Sequence, residues 1–368
     1  MTQGMHRTPA RPAPASPAVR DDRVADRPGP IWAVVTLILV ALNLRPALTT
    51  FGPVLVEAVR DTGMGPAAAS ALTTVPVLCL GAFGLLAAGL SRLFGTERTI
   101  CGSLLLLAAG LALRGLGTVP ALFAGTVMAG AAIGVAGVVL PGLVKRDFPG
   151  RASLMTGVYT MALCMGAAVA AGLTVPLERA FGGSWSGALA FWALPALAAA
   201  LVWLPAAVRG GRPAADPPRP ARGLWRDPLA WQVTLFMGLQ SSLAYIAFGW
   251  LAPILRDRGL DPLAAGALAS VMMAFQIPAA LFAPVLATRT PSQGGAIVVV
   301  MGLCVAGMLG CLFGPTGLTW LFAASLGLGL GGVFAIALTC IVLRAPDALA
   351  AARLSGMAQS VGYALASL

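Results

Sequence analysis

A chain of 368 residues that is 58% hydrophobic and 10% charged, with a mean hydropathy of +0.87, is too apolar for a water-soluble domain. Its formal charge of +11 does not mark a nucleic-acid partner, because the basic residues lie in short connectors between apolar runs rather than on one face. The short alternating segments of a β-barrel are absent, and in lipid every backbone amide must be paired within its own segment, so the long apolar runs become helices.

Residues 1–30 are rich in Pro, Arg and Ala and read as a disordered tail. No signal-peptide pattern follows, since the first apolar run leads into further spans. Spans are expected at 31–51, 67–90, 99–113, 119–143, 153–175, 185–207, 229–254, 262–287, 294–314, 317–343 and 353–368. This divides the chain into a cytoplasmic tail (1–30), an N-terminal six-helix bundle (31–207), a cytoplasmic linker (208–228) and a C-terminal bundle of five helices (229–368). The eleventh run reaches residue 368 without a closing charge or turn, so a twelfth helix is expected to be missing. With the N-terminus in the cytoplasm, only Arg60, Arg114, Arg179, Arg256 and Arg258 fall on the outer side, and the positive-inside rule fixes that orientation.

The first span contains Arg45, about 21 Å along the helix from Ile31 in a hydrocarbon layer of about 30 Å. A lone guanidinium there costs roughly 2.5–3.5 kcal/mol on insertion scales, so it is expected to face a water-accessible central cavity and attract a small anionic or polar solute. An interhelical hydrogen-bonding role is the alternative, but glutamine would serve that purpose at lower cost. Pro46 removes a backbone donor beside the charge, and Thr49, four residues on, shares its face.

Further along, Arg92, Gly95 and Arg98, then Lys145, Arg146 and Asp147, form candidate cytoplasmic gating loops. Polar residues inside the spans are Asn43, Tyr159, Gln240, Ser241, Ser242, Tyr245, Gln276, Gln359 and Tyr363. Such residues often serve as helix-packing glue, but the run Leu239-Gln-Ser-Ser-Leu-Ala-Tyr245 is denser than glue requires. Ser241 and Tyr245 share a helix face, whereas Gln240 lies roughly 140° from Tyr245 and need not face the same cavity. The candidate substrate-binding set is Arg45, Asn43, Thr49, Tyr159, Gln240, Ser241, Tyr245, Gln276 and Gln359.

The acidic residues all fall in the tail, loops or helix ends, and the single histidine, His6, is in the tail. A proton-driven cation carrier usually needs a titratable acid within the membrane, so anions or polar neutral molecules are favoured. Arg45 does not titrate in the useful range. Six cysteines lie in apolar runs without any CxxC pair, so neither a metal nor another cofactor is expected. The missing acid, base and nucleophile also argue against an enzyme. The Lys145-Arg-Asp147 region is echoed by Arg344-Ala-Pro-Asp347, and such parallel repeats suit a transporter with its site between the halves. A carrier is therefore preferred to an anion-selective channel or a non-transporting fragment.

The stretches Asn43-Leu-Arg-Pro46, Leu72-Thr-Thr-Val-Pro-Val-Leu78, Leu143-Val-Lys-Arg-Asp-Phe-Pro149, Leu154-Met-Thr-Gly-Val-Tyr159, Gln240-Ser with Tyr245, and Ser355-Gly-Met-Ala-Gln-Ser-Val-Gly-Tyr363 resemble the cyanate permease and 2-nitroimidazole transporter branch of the major facilitator superfamily. The resemblance implies two pseudo-symmetric six-helix bundles, an inner-membrane location, a monomer in the lipid bilayer, and alternating-access transport of a solute such as cyanate or a nitroimidazole-like compound. The superfamily's loop between helices two and three usually carries Gly-x-x-x-Asp-Arg-x-Gly-Arg-Arg; here Ser91-Arg-Leu-Phe-Gly-Thr-Glu-Arg98 lacks the aspartate.

Overall fold

The computed structural model describes residues 30–209, 221–289 and 293–367. The expected tail, apart from residue 30, and residues 210–220 of the expected linker lie outside them. No strand occurs among the described residues. The first crossing is interrupted: α1 (Pro30–Leu44), α2 (Pro46–Thr49), a 3-10 turn (Gly52–Val54) and α3 (Leu55–Thr62) follow one another. Then come α4 (Pro66–Phe94), α5 (Thr96–Arg114), α6 (Val119–Asp147), α7 (Ala152–Ala180) and the pair α8 (Trp185–Phe191) and α9 (Ala193–Arg209). The remainder is α10 (Pro228–Asp257), α11 (Pro262–Thr288), α12 (Gly294–Phe313), α13 (Thr319–Arg344) and α14 (Ala348–Ala366). Among the described residues, nine helical segments are long and apolar enough to cross a bilayer. Helices α10 and α14 run beside them in the same bundle.

Local chemistry accounts for the boundaries. Proline opens α2, α4, α10 and α11, where its missing N–H costs nothing and its fixed φ suits a first helical turn. Three loop aspartates act as N-caps: the Asp227 carboxylate accepts from Leu229 N at 2.9 Å, that of Asp261 from Ala264 N at 3.1 Å and that of Asp347 from Ala350 N at 2.7 Å. The break at Arg45 follows from Pro46, which has no N–H to give the Leu42 carbonyl, so the helical ladder is interrupted although Arg45 itself keeps αR geometry with φ of −103°.

Helices α1 to α9 pack as one group and α10 to α14 as another; the groups meet where α7 lies on α11 and α13, and where α14 lies on α4 and α6. The enclosed helices are α6 and α13, each 83% buried along its most apolar stretch, against 28% for α12, which presents most of its surface outward.

The groups are tightly joined at the end where α1 starts. There Ser153 Oγ donates to Pro284 O at 2.8 Å and lies 3.2 Å from Thr288 Oγ1. Gly157 of α7 sits so close to α11 that a Cβ would lie 2.6 Å from the Leu281 carbonyl. Gly157→Val should therefore force the helices apart and lower stability by about 1–3 kcal/mol, the usual cost of overpacking. At Gly172 of the same helix a Cβ would meet nothing within 4 Å, so Gly172→Val serves as the control in a thermal-unfolding comparison. Equal melting temperatures would refute the tight contact.

Candidate functional site

Between the groups lies a cavity of about 890 Å³, walled by α1, α2, α4, α6, α7 and the end of α5 on one side and by α10, α11, α13 and α14 on the other. It runs from the middle of the bundle toward the end opposite Pro30, where Gly52, Pro53, Thr73, Thr74 and Ser270 on its wall are exposed.

Arg45 occupies the break between α1 and α2 and lines this cavity, half-buried. Its guanidinium carbon lies 4.6 Å from the centroid of the Phe334 ring on α13, a cation–π contact between the two groups. That guanidinium has no hydrogen bond and no ion pair among the described residues. Tyr245, Tyr363 and Cys164 line the same cavity.

All three tyrosines of the chain, Tyr159, Tyr245 and Tyr363, line the same cavity although they lie on three different helices. Among the described residues, the buried Tyr159 hydroxyl has no hydrogen-bond partner. Tyr245 stands edge-on to Phe248, another wall residue, with ring centroids 6.3 Å apart. Thr49 Oγ1 donates to Ala167 O of α7 at 3.2 Å and anchors α2.

Three glutamines complete the polar wall. Gln240 Nε2 is 2.7 Å from Ser241 Oγ and 3.0 Å from Met237 O, and both Gln240 and Ser241 face the cavity beside Tyr245. A space this wide takes in more than one stripe of α10, which the helical angle alone left open. Gln359 Nε2 donates to Gly137 O of α6 at 3.1 Å and to Ser355 Oγ at 2.7 Å, so α14 is tied across the cavity floor to the first group. Gln276 lines the cavity from α11. Asn43 does not join them: it precedes the break, its Nδ2 donates to Leu39 O at 2.8 Å, and it packs into its own helix.

A second arginine on the wall, Arg114, departs from the outer-loop position expected of it. It is 2% exposed, at the end of α5. Its Nη1 donates to Ala47 O at 2.8 Å and its Nη2 to Thr126 Oγ1 at 2.9 Å, while Nε has no partner. Because α2 ends at Thr49, the Ala47 carbonyl lacks a helical amide partner, and Arg114 supplies one. The available signal was its isolation, the only charge between Arg98 and Lys145.

At the opposite end, the candidate gating residues contact one another and their near neighbours. Arg146 Nη1 pairs with Glu97 Oε1 at 2.7 Å and its Nε with Asp147 Oδ1 at 2.6 Å. Arg98 Nε donates to Ala207 O at 3.2 Å, and Gly95 turns the chain between α4 and α5 with φ of 92°. These contacts join α5, α6 and α9 within the first group; Arg92 is exposed and Lys145 half-buried. Glu97, the carboxylate that pairs there, is not among the residues expected from the sequence. Among the described residues, no cluster of potential metal ligands occurs.

The Major Facilitator Superfamily family model matches residues 32–368. The chain is 37% identical over 342 residues to the 2-nitroimidazole transporter of Escherichia coli (strain K12), covering 92% of this chain and 86% of that one. It is 30% identical over 337 residues to the cyanate transport protein CynX of the same organism, covering 91% and 87%. Among solved structures, the proton:xylose symporter XylE bound to 6-bromo-6-deoxy-D-glucose superposes with a TM-score of 0.75 at 12% identity, covering 92% of this chain and 87% of that one. That last likeness concerns the fold alone.

Proposed function

The chain belongs to the major facilitator superfamily of transporters, and from that premise we propose that it carries a small anionic or polar organic solute, such as cyanate or a nitroimidazole-like compound, by alternating access. One observation carries this reading above the others: the Arg45 guanidinium lines the cavity between the two groups and has no hydrogen-bonding protein partner among the described residues. A planar guanidinium with free N–H groups can grip the two oxygens of a carboxylate or nitro group with two parallel hydrogen bonds, and one end of linear cyanate with two converging ones. Tyr159, whose hydroxyl also lacks a partner, and the amides of Gln240, Gln276 and Gln359 then orient the remaining atoms, while Phe334, Tyr245 and Phe248 offer aromatic faces to a flat solute.

The N-terminus is assigned to the cytoplasm by the basic loops, with the protein a monomer in the inner (plasma) membrane. On that orientation the cavity faces outward, and the tight contacts at Ser153 and Gly157 form the inner gate. Packing below the floor at Gln359 and Tyr159 favours a carrier over a continuous pore. The Glu97–Arg146 pair braces the cytoplasmic edge of the first group.

Thermal unfolding of the purified protein tests the substrate class. Cyanate, nitrate, acetate and benzoate, with neutral 2-nitroimidazole beside them, are compared with the cations choline and tetraethylammonium. A ligand at 100 times its Kd stabilises by about 2.7 kcal/mol, a readily measured rise in melting temperature. Stabilisation is expected from members of the first set alone. Stabilisation by the cations, or by nothing in either set, would overturn the reading.

A further inference from the structure

Two arginines line the cavity, and among the described residues no carboxylate or imidazole lines it. The titratable groups that face Arg45 are the phenols of Tyr159, Tyr245 and Tyr363 and the Cys164 thiol, all neutral at pH 7 at their ordinary values. A guanidinium does not shed its proton in this range. The cavity therefore stays positive throughout a transport cycle.

The two charges are held differently. Arg114 is already enclosed, and its acceptors, the Ala47 carbonyl and the Thr126 hydroxyl, are neutral. Arg45 is half-exposed and stacks on Phe334 without a hydrogen bond to protein, so only water solvates its N–H groups in the open state. Closing the mouth at Gly52, Thr73, Ser270 and Ser367 would strip that water away. No protein anion is at hand to replace it, and an unpaired buried charge is one of the costliest arrangements in a protein interior. An anion on Arg45 removes that obstacle. It also binds more tightly once water is excluded, which is the differential affinity a ligand needs to drive a conformational change.

Building on the anion-carrier function proposed above, we infer that this protein is an obligate anion exchanger: it closes and reorients when an anion occupies Arg45 and stalls when the cavity is empty. Net movement then depends on a counter-anion on the other side and not on a proton. Swapping one monoanion for another moves no net charge, so the cycle is indifferent to membrane potential. The direction of net flux follows from the two anion gradients alone.

The test uses the full chain in liposomes preloaded with radiolabelled cyanate, nitrate, acetate or benzoate, one anion at a time. Efflux is followed into buffer containing either the same unlabelled anion or an impermeant sulfonate. The matching anion should accelerate efflux about tenfold or more, the ratio that about 1.4 kcal/mol between empty and loaded crossings produces. An imposed pH gradient or potassium diffusion potential should leave the accelerated rate unchanged. Efflux that is equally fast into anion-free buffer, or that is driven by either gradient, would overturn exchange while leaving anion transport intact. If none of the four anions crosses at all, the anion-carrier function fails, and exchange fails with it.

Discussion

Arg45→Gln should weaken anion binding by about 10- to 150-fold, the span given by the roughly 1.5–3 kcal/mol of a hydrogen bond to a charged group. The loss should appear in ligand-induced thermal stabilisation and in uptake of labelled cyanate, and not in the stability of the unliganded protein. The guanidinium makes no hydrogen bond to protein, so glutamine leaves no acceptor orphaned, and only the contact with Phe334 is lost. Arg45→Lys separates charge from shape. An ammonium keeps the attraction but loses the two-pronged grip and the flat stack on the ring, so an affinity between the glutamine variant and the parent is expected. Parental affinity in Arg45→Gln would remove this residue from the mechanism. A large fall in unliganded stability would assign it to packing instead.

Arg114→Met is expected to fail in the opposite way. This side chain is enclosed, and its replacement leaves the Ala47 carbonyl and the Thr126 hydroxyl facing an apolar interior. Each unsatisfied group costs about 1–3 kcal/mol, offset in part because the variant no longer buries a charge. A net loss of about 1–3 kcal/mol should be visible as a lower melting temperature without ligand. The Ala47 carbonyl has one nearby replacement partner, the amide of Phe51, four residues along. Using it would lengthen α2 and swing the Gly52–Val54 turn at the cavity mouth. Transport by Arg114→Met should therefore fall in maximal rate at a similar half-saturating concentration, where Arg45→Gln loses affinity. Unchanged stability and rate would show that the Ala47 carbonyl finds another donor and that this tie does not hold the break open.

The contrast between these arginines explains how far residue patterns could be read. Both stand in or beside apolar runs, and both are expensive in lipid. Arg45 announces itself by lying mid-span beside a proline. Arg114 sits at the last residue of its helix, where a sequence offers no means of telling a charge that reaches water from one that folds inward. Its partners are a backbone carbonyl, which every residue possesses, and one threonine hydroxyl. Asn43 illustrates the reverse problem. Two residues from Arg45 in sequence, it ends up bonding its own helix, because positions two apart lie about 200° from each other around a helix and Asn43 does not share the face of Arg45. The candidate gating loops behave similarly: Arg146 stands out in the sequence, while Glu97, its partner on α5, becomes visible only once α5 and α6 are packed together.

Composition and hydropathy period were sufficient to establish an all-helical membrane protein, the approximate span of each crossing, and a charge in the first of them. Those properties are local: they depend on the cost of exposing backbone to lipid and on the spacing of apolar side chains along one helix. The convergence of Tyr159, Tyr245 and Tyr363 on one cavity, the stacking of Arg45 on Phe334, and the capture of the Ala47 carbonyl by Arg114 were decided by tertiary packing. Each joins helices far apart in the chain, and no pattern within a single helix specifies which faces of its neighbours it will meet.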